Sequence, residues 1–254
     1  MNGVIIAATH HIEFLLPWWL HNFRAHNDFP LIIFDIGMSE KARKWCSERE
    51  EVVSLTIPET FIVGKEKVDS VLAHKWEATH GDGIWEVRLK WFKKPFVFAH
   101  SPFSKTLWID LDCEVRASLH PLFDYCENEM GIAMTREPEA FQKGFQALGF
   151  SLPGETIYNS GVVAYSQNAP VLSKWMREVE ERNHCYISDQ EALSRVLFAE
   201  KKAIKEFPPE YNWDRGLGEN IHALVFHWHG QKGKKILKSH IDQLSQLNLF
   251  DYSF

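Results

Sequence analysis

Cysteine is too sparse and scattered in this chain to build with. Four occur in 254 residues, Cys46, Cys113, Cys126 and Cys185, and no two form a Cys-x-x-Cys pair. That spacing argues against a zinc knuckle and against a secreted disulfide framework. Positive charge is also in deficit: 28 Lys and Arg stand against 34 Asp and Glu, for a formal charge of -6. A protein that held nucleic acid by neutralising phosphates would lean the other way, so nucleic acid is not an expected partner. No stretch approaches the roughly 18 consecutive apolar residues of a membrane span. The opening MNGVIIAATHHIEF has no basic leader, and polar residues soon interrupt its apolar run. Together these absences point to the cytosol. Repeats, low-complexity tracts and Gly/Ser linkers are missing too, so residues 1–254 read as one domain. Apolar residues make up 45% and charged residues 24%, which excludes disorder.

Aromatic residues are plentiful, with 10 Trp, 18 Phe and 6 Tyr. A bulky core explains them, and so does a surface that stacks flat rings such as sugars or a nucleobase. Short apolar runs alternate with helix-period segments. Strands are expected at Val4–Ala8, Leu31–Phe34, Val52–Ile57 and Thr106–Ile109. Between them, Ile12 to Phe23 has helical spacing, Ser39 can cap a helix over 40–49, and residues 84–93 precede a short helix opened by Pro95. Repeated β–α order implies a mostly parallel central sheet flanked by helices, an α/β, Rossmann-like architecture. Further on, Gly131–Thr135, Ile157–Tyr165 and Ala223–Trp228 look extended. Asn168 is placed to cap a helix over 169–182, and Ser188-Asp189-Gln190-Glu191 reads as a capping box. Ile236, Leu237, Ile241, Leu244 and Leu247 suggest a C-terminal helix. Ala140 to Glu155 has no clear period and reads as a mobile loop.

Chemistry concentrates in TLWIDLDCEV, Thr106 to Val115. A hydrophobic strand runs into Asp110-Leu111-Asp112, and in an extended chain residues i and i+2 face the same way. Both carboxylates would then face one point past the strand's carboxyl end, where open α/β sheets bind ligands. Two carboxylates so close call for a cation or a shared proton. A hard divalent metal bridging to phosphate oxygens suits them; one capping Asp and one exposed Asp would give the same string. The second constellation is FHWHG, where His227 and His229 again share a face, followed by Gly230, Lys232, Lys234 and Lys235. An imidazole beside carboxylates moves the expected metal from magnesium toward manganese. Lysines on a Gly-containing turn would neutralise a diphosphate leaving group.

WIDLDCEV resembles the DxD strand of the GT-A glycosyltransferases. FHWHGQKGK is similar to the late His-x-x-Gly motif, with a following Lys, of the family 8 (glycogenin-like) retaining enzymes. Tyr158-Asn159-Ser160-Gly161-Val162 resembles that family's Asn-Ser-Gly segment, and Asp189-Gln190 its Asp-Gln pair. The resemblance implies a nucleotide-diphosphate sugar as donor, a manganese or magnesium ion held by Asp110, Asp112 and His227, and transfer to a carbohydrate, glycolipid or protein hydroxyl with retention. It further implies donor contacts by Asn159, Ser160, Gly161, Leu111, Gly230, Lys232 and Lys234, and a catalytic or sugar-contacting role for Asp189 and Gln190. Thr9 and His10 follow the first strand, where nucleotide folds meet the nucleoside. Arg88, on the helix before the DxD, is within reach of sugar or diphosphate in that arrangement. The match departs from the family after Gly230, where no Lys-Pro-Trp follows. Which lysine meets phosphate, and whether His229 replaces His227, stay open. WFKKPFVFAH also fits other GT-A families. Two other readings compete: a haloacid-dehalogenase-type phosphatase using the DxD, and a nucleotide-binding protein without turnover.

Overall fold

Alternating burial in the first strand determines how the sheet is covered. In β1 (Asn2–Ala8), Val4, Ile6 and Ala8 belong to one core and Ile5 and Ala7 to the other, and all are buried. A strand packed on both faces needs this pattern. The structure is a computed structural model and describes residues 1–246; Leu247 lies outside the described residues.

From β1 the chain enters α1 (Leu16–His26), with Pro17 in its first turn, where the missing N–H has no partner to lose. Then come β2 (Leu31–Asp35), α2 (Glu40–Ser47) and β3 (Glu51–Ser54). The Ser39 side chain caps α2 by accepting the Ala42 N–H. A helical excursion of α3 (Ser70–His80), α4 (Ile84–Trp91) and α5 (Lys94–Ala99) precedes β4 (Lys105–Ile109). The second half runs β5 (Cys113–Val115), β6 (Ile132–Arg136), α6 (Glu139–Leu148), β7 (Tyr158–Ser166), α7 (Pro170–Arg182) and α8 (Asp189–Glu200). It ends with β8 (Lys205–Glu206), β9 (Trp213–Asp214), β10 (Val225–His227) and α9 (Gly230–Gln246).

Seven strands form the main sheet in the order β3-β2-β1-β4-β7-β6-β8. β7 runs antiparallel to both its neighbours, while every other pair is parallel. The expected mostly parallel α/β sheet is therefore present. A small sheet, β5-β10-β9, starts a few residues past the carboxyl end of β4, and in it His227 pairs with both Cys113 and Asp214. One face of the main sheet carries α1 and the apolar side of α9; the other carries α5, α7 and α8.

Three expectations need correcting. Residues 140–155 are not simply a loop, because α6 occupies Glu139–Leu148. Phe141, Phe145 and Leu148 have helical spacing, but Gly144 interrupts the pattern and no residue of α6 is buried. Asn168 does not cap α7; Ala169 holds that position without a side-chain bond, and Pro170 fixes the first turn instead. The third strand ends at Ser54, short of Ile57.

Candidate active site

β4 delivers the Asp110-Leu111-Asp112 segment to the carboxyl edge of the sheet, and there the chain turns. The Asp110 N–H donates to the Gly161 carbonyl at 2.8 Å, and the Cys113 N–H donates back to the Asp110 carbonyl at 3.0 Å. Such a turn breaks the same-face rule for i and i+2, which holds only for extended chain. The carboxylates part company. Asp110 accepts the Trp108 indole N–H at 2.6 Å and pairs with the Lys94 ammonium at 3.0 Å. Asp112 meets His227, Oδ1 to Nε2 at 3.5 Å, and accepts a hydrogen bond from Lys234. Donor atoms of Asp112, Cys113 and His227 all lie within 4.8 Å of one another. Asp110 is not in that group, so the expected trio of Asp110, Asp112 and His227 is not assembled. Leu111 is buried in the core, which leaves only its backbone for a ligand.

His227 owes its position to Gly161. A Cβ on Gly161 would come within 2.4 Å of His227 Cε1 and 2.8 Å of Nδ1, so only glycine admits the ring. The neighbouring imidazole goes elsewhere: His229 Nδ1 is 2.9 Å from Asp214 Oδ2. Burial lowers the His229 pKa, but the hydrogen bond to Asp214 and the carboxylates of Glu137 and Asp112 more than offset it and leave it raised. His229 is thus the hydrogen-bonded partner of Asp214, and His227 is the imidazole offered to Asp112. Burial alone would raise the Asp112 carboxyl; the Lys234 ammonium reverses this and holds it well below the usual range.

The basic run lies in the first turns of α9, not in a turn before it. Gly230 opens the helix at φ +77°. Lys232 and Lys235 are exposed, whereas Lys234 turns inward to Asp112. On the far side of Asp110, Lys94 is the hub of a buried polar cluster. Its ammonium lies 3.1 Å from both the Ser160 carbonyl and Oγ, 3.0 Å from Asp110 and 3.9 Å from Asp189. Ser160 Oγ also donates to Asp189 Oδ2 at 3.2 Å. Burial, relieved in part by Lys94, pushes Asp189 up to about 6. Gln190 is tied at both ends: its Oε1 accepts the Ser160 N–H at 3.1 Å and its Nε2 donates to Glu137 at 3.0 Å. Asn159 donates to Glu137 Oε1 at 2.8 Å and accepts the Gly161 N–H at 2.9 Å.

No protein-family model and no curated protein sequence matches the chain. Solved structures do. The galactosyltransferase LgtC, captured with donor and acceptor sugar analogs, aligns over 97% of this chain and 95% of its own, with TM-score 0.64 at 16% identity. The glycosyltransferase GlyE of Streptococcus pneumoniae aligns over 99% of this chain and 62% of its own, with TM-score 0.60 at 13% identity. Mouse xyloside xylosyltransferase 1 aligns over 91% of this chain and 98% of its own, with TM-score 0.56 at 14% identity. The fold is that of the GT-A glycosyltransferases.

Within this GT-A fold, Thr9 and His10 stand where β1 leaves the sheet. Thr9 is buried, its Oγ1 has no hydrogen-bond partner, and His10 is exposed beside it. Arg88 is not free to reach a ligand. It is fully buried and donates to the carbonyls of Val63, Asn183 and Tyr186 at 3.0, 2.7 and 3.2 Å, packed against Trp76 and Phe92. Burial lowers its pKa to about 10. Its expected place among the donor contacts is therefore corrected: Arg88 pins the α3–α4 excursion to the residues ahead of α8. Sequence reasoning missed Lys94, Glu137, Asn212 and Asp214. Lys94 lay within WFKKPFVFAH, a lysine next to the proline that opens α5; the other three carry no spacing signal. With this fold in place, the phosphatase alternative raised by the DxD loses its ground.

Proposed function

We propose that this protein is a glycosyltransferase that moves a sugar from a nucleotide-diphosphate donor to an acceptor hydroxyl, with retention and with a divalent metal at Asp112 and His227. The observation that carries it is the meeting of Asp112, His227 and Lys234 at the carboxyl edge of a GT-A sheet. The donor set fits such an ion: a carboxylate oxygen and an imidazole nitrogen face each other across 3.5 Å. Burial, reinforced by the Asp112 and Asp110 charges, holds the Cys113 thiol well above its usual range in the metal-free chain, and its sulfur lies beside the two proposed ligands. Oxygen with nitrogen favours manganese over magnesium. When bound, the ion would supply charge neutralisation on the departing diphosphate.

The chain's own groups supply the rest. Lys234, in the first turns of α9, pairs with Asp112 and suits phosphate oxygens. Asp110, Lys94, Ser160 and Asp189 form a polar wall on which a sugar ring can be held. Asp189 presents a carboxylate there and is the group we assign to the reacting carbon; Gln190, held at both ends, orients the Ser160 backbone. The acceptor is a carbohydrate, glycolipid or protein hydroxyl, and all 254 residues work as one domain. The cysteines are free, which supports a cytosolic setting. Neighbours named for galactose and xylose transfer make those the first donor sugars to try.

Incubation with a panel of nucleotide-sugars, with manganese or with EDTA, tests the reading. Metal-dependent release of the nucleoside diphosphate is expected, with Asp112→Asn removing it in protein that circular dichroism shows still folded. Donor binding without turnover would make the chain a nucleotide-binding protein instead. NMR of the first-formed product anomer decides retention.

A further inference from the structure

We infer that Asn212 is the positioning residue that sets His227 in its metal-binding tautomer. Asn212 lies immediately before β9, and its Oδ1 is 2.9 Å from His227 Nδ1; both residues are buried. An imidazole nitrogen facing an amide either donates or accepts, and a chain of fixed donors decides which.

The chain begins at backbone. The Gly161 N–H can only donate, and it donates to Asn159 Oδ1 at 2.9 Å. The Asn159 amide nitrogen is thereby turned to Glu137 Oε1 at 2.8 Å, an oxygen that also accepts from Gln190. Asn212 Nδ2 donates to the same Asn159 Oδ1 at 2.8 Å. Its own Oδ1 is then the atom left for His227. Nδ1 must carry the proton, and Nε2 presents a bare lone pair toward Asp112 Oδ1 at 3.5 Å, too long for a charge-assisted hydrogen bond.

Left to itself, a buried histidine beside a carboxylate would place its proton on Nε2 and satisfy Asp112 directly. That tautomer blocks the site. Asn212 holds the ring in the other state, as outer-shell acceptors do for histidine ligands. The role in metal binding rests on the reading of Asp112 and His227 as ligands; the tautomer does not.

Two measurements separate these. In metal-free protein labelled with 15N-histidine, long-range 1H–15N NMR should show His227, assigned by its loss in His227→Ala, protonated at Nδ1. Asn212→Ala should move the proton toward Nε2, while Asn212→Asp, which keeps an acceptor, should not. In EPR titrations with manganese alone, Asn212→Ala should bind about 10- to 100-fold more weakly than the parent, and Asn212→Asp at least as tightly. An Nε2–H signal in the parent, or an unchanged tautomer and affinity in folded Asn212→Ala, overturns the inference. If His227→Ala binds manganese as well as the parent does, the metal reading falls, and the NMR result then judges Asn212 by itself.

Discussion

Single side chains in this molecule work by being shut away from water. Arg88 carries its charge into an aromatic pocket with no ion-paired carboxylate among the described residues, and three backbone carbonyls depend on it. Arg88→Ala should leave those carbonyls unpaired and lower stability by about 3 kcal/mol or more. Calorimetry would register this as a drop in Tm, whereas an arginine that served only a ligand would leave Tm in place. Asp189 gives a pH test. Its folded pKa, about 6, lies above the ordinary 3.8. The folded state therefore holds this proton more tightly than the unfolded chain, and the associated stability is complete below pH 3.8 and lost as pH rises through 6. Asn at this position never ionises. Asp189→Asn should melt close to the parent near pH 4 and above it at pH 7.5, by on the order of 3 kcal/mol. A melting difference that does not grow with pH would refute the assignment.

At the scale of elements, the site depends on how closely α9 approaches the end of β10. A Cβ on Gly233 would come within 2.1 Å of the Trp228 carbonyl oxygen, a backbone atom that cannot swing aside. Gly233→Ala should push α9 outward, cost about 1–3 kcal/mol and carry Lys234 off Asp112. The expected readout is a weaker donor-phosphate affinity that exceeds the effect of an alanine at exposed Lys232. The same contrast shows what the residue string could reveal. Apolar patterning placed β1, β2, β4 and α4 well, the Ser39 cap placed α2, and the Ser188–Glu191 capping box is present as expected. Periodicity could not find β9, because two residues are too few to alternate, whereas Ala223–Trp228, expected to be extended, does hold β10. The pair of acidic residues was legible, but its geometry was not. Cys113 N–H folds back on Asp110, and that turn sends the two carboxylates to different partners. Lys94 was hidden for a related reason: its partners, Asp110, Ser160 and Asp189, arrive from three separate segments.

For the molecule as a whole, Asp112 and His227 are separated by 115 positions in sequence (227 less 112) and meet because β5 pairs with β10. That ladder covers three residue pairs, Val225 with Val115, Phe226 with Glu114 and His227 with Cys113. An ion held from both strands would staple this short ladder shut, and only the folded chain offers the two donors together. Binding to the native state alone raises stability with concentration, by about 2.7 kcal/mol at a hundredfold excess over Kd. For a chain of this size that is roughly 5–10 °C in Tm. Manganese should therefore raise the parent's melting temperature, EDTA should reverse the shift, and His227→Ala should abolish it. His229→Ala should keep most of it, because its imidazole serves Asp214. A shift that survives in His227→Ala but vanishes in His229→Ala would exchange the two roles and detach the ion from the Asp112 end of the ladder.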